Sequence, residues 1–188
     1  MSPSGRALIV YESMFGNTER VARAIRDGLR DTLPADLIPA YQAPTVVPGD
    51  VRFLIAGGPT HAFSMSRQST RESARQQGDV VMPIEFGLRD WLDALVVDSR
   101  MTTGDRALPL EVATFDTRIS TTRRLPGSAA RAAAKILRRH RYQVVDSASF
   151  FVTESVGPIS PAEIERALDW GRRLGRQLTD ATPSGRRR

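Results

Sequence analysis

Apolar residues along the chain fall into short blocks whose spacing alternates between two patterns. ALIV at Ala7–Val10 has the length and composition of a strand, which we place over residues 7–12. Val21, Ala24, Ile25, Gly28 and Leu29 then recur at helical spacing and predict a helix from about Thr18 to Asp31. LPADLIPAY predicts a weaker strand near Leu37–Tyr41, and prolines at 34, 39, 44 and 48 put it at a sheet edge beside a loop. VRFLIAGG (Val51–Gly58) is apolar with almost no alternation, the pattern of a strand covered on both faces.

The second half repeats the alternation. RQSTRESARQQG reads as a polar helix, and EFGLRDWLDAL as a short amphipathic one with Leu88, Trp91, Leu92 and Leu95 on one side. LEVATFD (Leu110–Asp116) predicts a strand, and GSAARAAAKILRRH a helix that aligns Ala130, Ala133, Ala134 and Leu137. YQVVDSASFFVTE predicts a strand interrupted near Asp146 and Ser147. Ser160, Pro161 and Glu163 supply an N-cap, a first-turn proline and a capping-box partner for a last helix, along which Ile164, Ala167, Leu168, Gly171, Leu174 and Leu178 repeat. The order β-α-β-β-α-β-α-β-α, with an untidy second crossover, predicts an α/β chain with a parallel sheet covered on both faces.

Composition removes several chemistries. The 188 residues include no cysteine, which excludes disulfides, thiolate metal sites and thiol catalysis. Two histidines, His61 and His140, exclude a multi-histidine metal centre, so no metal is expected. No apolar run approaches ~18 residues, which predicts a soluble, cytoplasmic protein without membrane contact. One domain is expected over residues 1–182, with a basic tail at 183–188. The net charge is +6 and the sequence pI about 10.8. Arg131, Lys135, Arg138, Arg139 and Arg141 cluster on the predicted fourth helix. A solvated helix face is the plain reading of that cluster, and an anionic partner the functional one. Trp91 and Trp170 lie on or beside apolar stripes and are read as packing.

The chemistry concentrates where the first strand meets the first helix. YESMFGNTER (Tyr11–Arg20) ends an apolar run in a small polar loop. Helix-first amides lack partners, the helix dipole adds positive charge, and glycine lets a ligand approach the backbone. Ser13, Gly16, Asn17 and Thr18 therefore fit either a phosphate cradle or a plainly capped helix. The loop has no lysine, which excludes a Walker-type loop, and it is not GxGxxG.

YESMFGNTERVARAI resembles the phosphate loop of flavodoxins, whose pattern is a short strand, Ser/Thr-x-x-Gly-x-Thr and a helix. GGPTHAF and TFDTRIS end later strands where that family places its two flavin loops, so the resemblance runs from about Ala7 to Leu178. It implies a doubly wound, five-stranded parallel sheet of order 2-1-3-4-5, with FMN at the carboxyl ends of strands 1, 3 and 4. By the same resemblance Ser13, Met14, Phe15, Gly16, Asn17 and Thr18 would wrap the FMN phosphate. Pro59, Thr60, His61, Ala62 and Phe63 would flank the isoalloxazine and ribityl chain. Phe115, Asp116, Thr117 and Arg118 would border the other side of the ring. Phe115 also fits a core position, Asp116 either the flavin N3–H or Arg118, and Phe63 either ring stacking or a plug at the sheet end. The implied role is an FMN-dependent electron carrier in which no side chain acts as a catalyst. Two alternatives stand beside it: an NAD(P)H-dependent quinone or nitro-compound reductase, and a non-redox module for anions or nucleic acid.

Three departures from the family shape these expectations. The chain is basic where flavodoxins are acidic, so its partner should be a redox protein or NAD(P)H reductase with an acidic docking face; nucleic acid is disfavoured, because no aromatics interleave with the helix arginines. PTHAFSMS lacks a glycine after Pro59 and TFDTRIS lacks a tyrosine, while Arg118 adds positive charge near the expected ring. Residues 64–87 form an insertion beside the site, expected to serve as a lid, a substrate wall or a homodimer contact.

Overall fold

The computed structural model describes residues 5–96 and 110–181, with side chains described through Thr179. The tail expected at 183–188 lies outside the described residues. Strands β1 (Arg6–Tyr11), β2 (Ala35–Pro39), β3 (Val51–His61), β5 (Glu111–Ile119) and β6 (Gln143–Val152) form a parallel sheet in the order β2-β1-β3-β5-β6. A two-residue strand, β4 (Ser64–Met65), pairs antiparallel with the end of β3. Without β4, this is the order 2-1-3-4-5 expected from the sequence; β4 makes the sheet six-stranded.

Alternation along each strand builds two cores. Ala7, Ile9, Tyr11, Phe53, Ile55, Ala113 and Phe115 face α1 (Asn17–Leu29) and α5 (Pro161–Ala181). Leu8, Val10, Leu54, Ala56 and Val112 face α3 (Leu88–Ala94) and α4 (Ala129–Arg139). The central strands are buried from both sides, which is why β3 reads as one apolar run. The second crossover, from β2 to β3, holds only a 3₁₀ turn (Ala40–Gln42), as its proline spacing requires. Among the described residues the next crossover carries two helices, α2 (Gln68–Arg75) and α3. The interruption expected near Asp146 is a bulge: Val112 pairs with Val144 and Ala113 with Asp146, so Val145 is skipped.

Both tryptophans pack, each with its indole N–H satisfied: Trp91 donates to Pro44 O and Trp170 to Asp146. The capping box of α5 forms by half. Ser160 Oγ accepts from the Glu163 amide at 3.3 Å. The Glu163 carboxylate instead accepts from Phe151 N at 2.8 Å and pairs with Arg166. Arg166 also donates to Ser149 O. Two backbone groups of the outermost strand are thus satisfied by α5 side chains, which blunts that sheet edge. Among the described residues no helix is long and apolar enough to cross a membrane.

Helices α1 and α5 meet through two glycines. A Cβ at Gly28 would lie 2.2 Å from Leu168 O, and one at Gly171 would lie 2.3 Å from Ile25 O. Both obstacles are backbone, so the helices would have to separate. Gly28→Ala is therefore expected to destabilise the fold by about 2–3 kcal/mol, the cost of overpacking a close contact, and lower Tm by roughly 4–12 °C. Thermal melts followed by circular dichroism check this; an unchanged Tm would show that the crossing is loose.

Candidate functional site

The carboxyl ends of β1, β3 and β5 bring the loop at 12–16, the β3–β4 turn and the start of the β5–α4 loop to one edge of the sheet. A cleft of about 270 Å³ opens there. One wall is the end of β1 and the start of α1, with Met14, Phe15, Asn17 and Thr18. The lining also includes Thr60, His61, Thr70 of α2 and Gln77 just after that helix.

The loop before α1 is built to leave amides free. Gly16, at φ +84°, turns the chain into the helix, and a Cβ there would meet nothing within 4 Å. Backbone conformation therefore selects glycine, not space. Gly16 has no side chain to cap α1, and Ser13 does this instead: its Oγ accepts from the Glu19 amide at 3.2 Å, leaving its O–H to donate elsewhere. The amides of Met14, Phe15, Gly16, Asn17 and Thr18 have no acceptor among the described residues. Five consecutive unpartnered N–H groups at a helix start form a strong anion-binding arrangement.

The other side chains of the loop fix its shape. Asn17 donates to Gly157 O at 2.7 Å and accepts from Ile159 N at 2.9 Å, which ties the β6–α5 loop to the start of α1. The Thr18 and Thr117 hydroxyls share a buried hydrogen bond of 2.7 Å that links α1 to β5. Met14 is buried with Ala74 and Ile84, which packs the cradle against the 64–87 segment.

Alternation along β5 separates the residues expected on the far side of a ring. Phe115 and Thr117 point toward α1 and α5, Asp116 and Arg118 toward α4. Phe115 is fully buried and packs edge-on against Phe150 and Trp170, so it belongs to the core. Asp116 is also fully buried: Oδ2 accepts from Ala130 N at the start of α4, and Oδ1 has no partner among the described residues. Neither residue lines the cleft, whereas Thr117 and Arg118 do. The Arg118 guanidinium turns back onto the Thr122 and Leu125 carbonyls and shapes the β5–α4 loop. Phe63 also stays outside the cleft, half exposed on a two-residue turn in which Ala62 (φ 46°) and Phe63 (φ 64°) are both left-handed. His61 lies at the cleft, and burial lowers its pKa below the ordinary imidazole value, so the ring is neutral at pH 7.

A buried polar cluster beneath the cleft escaped the sequence reading. Glu12, at the end of β1, is 2% exposed. Its carboxylate accepts from Ser66 Oγ at 2.5 Å and from Leu88 N at 2.7 Å. Arg71 of α2 is 1% exposed and donates to Ser66 Oγ, Ile84 O and Asp90. Asp90 also caps α3 through Gly87 N. A Cβ at Gly87 would fall 2.5 Å from Glu12 Oε2, so this crossing also requires glycine. The cluster anchors the whole 64–90 segment to the strand that launches the cradle, and α2 is thereby a fixed wall.

Burial raises the Glu12 pKa above the usual carboxylate value, and Ser66, Leu88 and Arg71 oppose the rise. A carboxyl whose pKa is higher in the folded than in the unfolded chain contributes most at low pH. That contribution declines as pH rises from about 4.5, the ordinary value, through the folded pKa. Urea midpoints of the parent and Glu12→Gln from pH 4 to 8 should therefore diverge, the parent losing stability relative to the variant as pH rises. Parallel curves would contradict the assignment.

No family model matches the chain, and no curated protein matches it by sequence. Solved structures match it over nearly their whole length. A flavodoxin from the domain Archaea aligns with TM-score 0.57 and 14% identity, covering 93% of this chain and 99% of that one. The flavodoxin of Streptococcus pneumonia TIGR4 gives 0.57 and 16%, covering 92% and 99%. Oxidised Flavodoxin 2 from Bacillus cereus gives 0.56 and 19%, covering 93% and 99%. With the strand order and the site at the switch point between β1 and β3, these matches establish that the chain has a flavodoxin-like fold.

Proposed function

We propose that the chain binds FMN at this cleft and serves as an electron-transfer protein. The observation that carries the reading is the run of unpartnered amides from Met14 to Thr18, set at a helix start around a left-handed glycine. A phosphate monoester dianion supplies the acceptors those amides lack, and the absence of a lysine leaves the charge to dipoles and hydrogen bonds. The buried Ser13 hydroxyl supports the cradle from behind by accepting from the Glu19 amide. Polar groups of Thr60, Thr70 and Gln77 line the rest of the cleft and suit a hydroxylated chain. The cleft lies just below the ~300–1,000 Å³ of enclosed small-molecule sites, which favours a ligand left partly open at the mouth.

Bound flavin would supply the redox chemistry. The protein would hold its phosphate, exclude water with α2 and the Asn17-tethered loop, and place neutral His61 beside it. The purified protein's absorbance spectrum tests this: the visible bands of bound flavin, or their appearance on adding FMN, are expected. A colourless protein that ignores FMN would overturn the reading. Steady-state reduction of a quinone by NAD(P)H, with no second protein, would instead assign a reductase on the same fold.

A further inference from the structure

The rim of the cleft is electrostatically lopsided. Residues 118–145 contain eight lysines and arginines and not one carboxylate. They begin at the mouth of the cleft and run along the solvent face of α4, where Arg131 and Lys135 are exposed. The opposite side is of mixed sign: Glu72, Asp79, Glu85 and Glu154 are exposed there, and so are Arg67 and Arg75.

Two large apolar side chains stand in solvent where the basic strip meets the cleft. Phe63 is 50% exposed and Leu125 44%. The loop that carries Leu125 packs against the Phe63 turn: a Cβ at Gly127, two residues further on, would lie 2.6 Å from Phe63 O. Hydrogen bonds fix the backbone of this region. Arg118 binds the Thr122 and Leu125 carbonyls, and Thr60 Oγ1 accepts from Ala129 N at 2.9 Å. Phe63 also adopts a left-handed backbone that a bulky residue normally avoids. An aromatic held exposed at a backbone cost, beside the loop that carries an exposed leucine and flanked by arginines, has the composition of an interface hot spot.

We infer that the surface formed by Phe63, Leu125, Arg123, Arg124, Arg131 and Lys135 is the docking face for an acidic redox protein. The inference rests on the electron-transfer reading and adds the partner's charge and place of contact. Charge complementarity selects an acidic surface and steers its approach to the mouth of the cleft. A protein fits the strip better than nucleic acid does. Residues 118–141 contain no aromatic on which bases could stack, and Tyr142 is buried. The apolar residues cluster at one point instead of recurring along the strip.

The test measures binding directly, by fluorescence anisotropy of a labelled small acidic [2Fe–2S] ferredoxin at low and high salt. The parent is expected to bind at low salt and to weaken steeply as salt rises. Arg123→Glu/Arg124→Glu and, separately, Arg131→Glu/Lys135→Glu should each weaken binding by about tenfold or more. The second pair keeps the test valid if loss of Arg123, which lies over the Phe151 ring at 4.3 Å, disturbs packing. Glu72→Lys/Glu154→Lys on the opposite rim should not weaken binding. The inference is overturned if the parent does not bind the ferredoxin, or if all three variants lose affinity equally. It is likewise overturned if the two arginine-side variants abolish binding of a labelled DNA duplex and leave the ferredoxin unaffected. Flavin content, read on the same samples, separates the two layers: FMN bound without ferredoxin binding defeats only the docking face, and the reverse defeats only the electron-transfer reading.

Discussion

Arg71→Met should cost about 3–5 kcal/mol of stability, the usual consequence of removing one member of a buried ionic cluster. For a chain of this size that is a fall in Tm of roughly 6–20 °C. The reason is local. The guanidinium satisfies Ser66 Oγ, Ile84 O and Asp90 in a place with almost no water, and it offsets the buried charge of Glu12. Methionine fills the volume but leaves those acceptors without donors. The double variant Glu12→Gln/Arg71→Met removes the uncompensated charge as well. It should recover about 1 kcal/mol or more relative to the sum of the single changes. Strict additivity in a double-mutant cycle would mean that Glu12 and Arg71 do not communicate through Ser66. The variant should also loosen the 64–90 segment, seen as faster amide exchange in α2.

The second large effect is on ligand affinity. Gly16→Val should weaken FMN binding by about a hundredfold while lowering stability by only about 1–2 kcal/mol. The asymmetry follows from the geometry: a side chain at Gly16 meets no neighbour, so its whole cost is the left-handed backbone. Relief of that strain rotates the amides of residues 15–18 away from a common centre, and a phosphate feels that rotation more than the core does. Isothermal titration with FMN, beside a urea melt of the same variant, separates the two. Equal losses in both, or unchanged affinity, would contradict the cradle.

Much of the fold could be read in the sequence, because periodicity reports burial directly. The unbroken apolar run of β3 implied cover on both faces, and the Ser160–Pro161 pair marked the start of α5. What escaped depended on contacts between distant residues. Glu163 has the spacing of a capping-box partner, but the Phe151 amide and Arg166 compete for its carboxylate. The cluster joins Glu12 to Ser66, 54 positions away, and through it to Arg71 and Asp90, beyond any local pattern. Its one sequence signal is a glutamate in register with the inward-facing Leu8 and Val10. The site was legible in part. Met14, Phe15, Asn17 and Thr18 do meet residues 59–62 at one cleft, since both groups stand at the carboxyl ends of strands next to each other in the sheet. Ser13 and Gly16 of the same loop do not line it. Thr117 and Arg118 reach the cleft from opposite sides of β5 because they stand near its carboxyl end, whereas Phe115 and Asp116 lie deeper in the strand and are fully buried. TFDTRIS shows the alternation of these four residues but not how far along the strand the cover of the helices extends.

The dissociation constants of FMN and riboflavin, measured side by side on the unmodified protein, bear most directly on the site. The two ligands differ only by the phosphate. If the amides from Met14 to Thr18 hold it, FMN should bind at least about a hundredfold more tightly, a difference near 3 kcal/mol. Equal affinity for the two, or binding of neither, would remove the phosphate cradle and with it the proposed function.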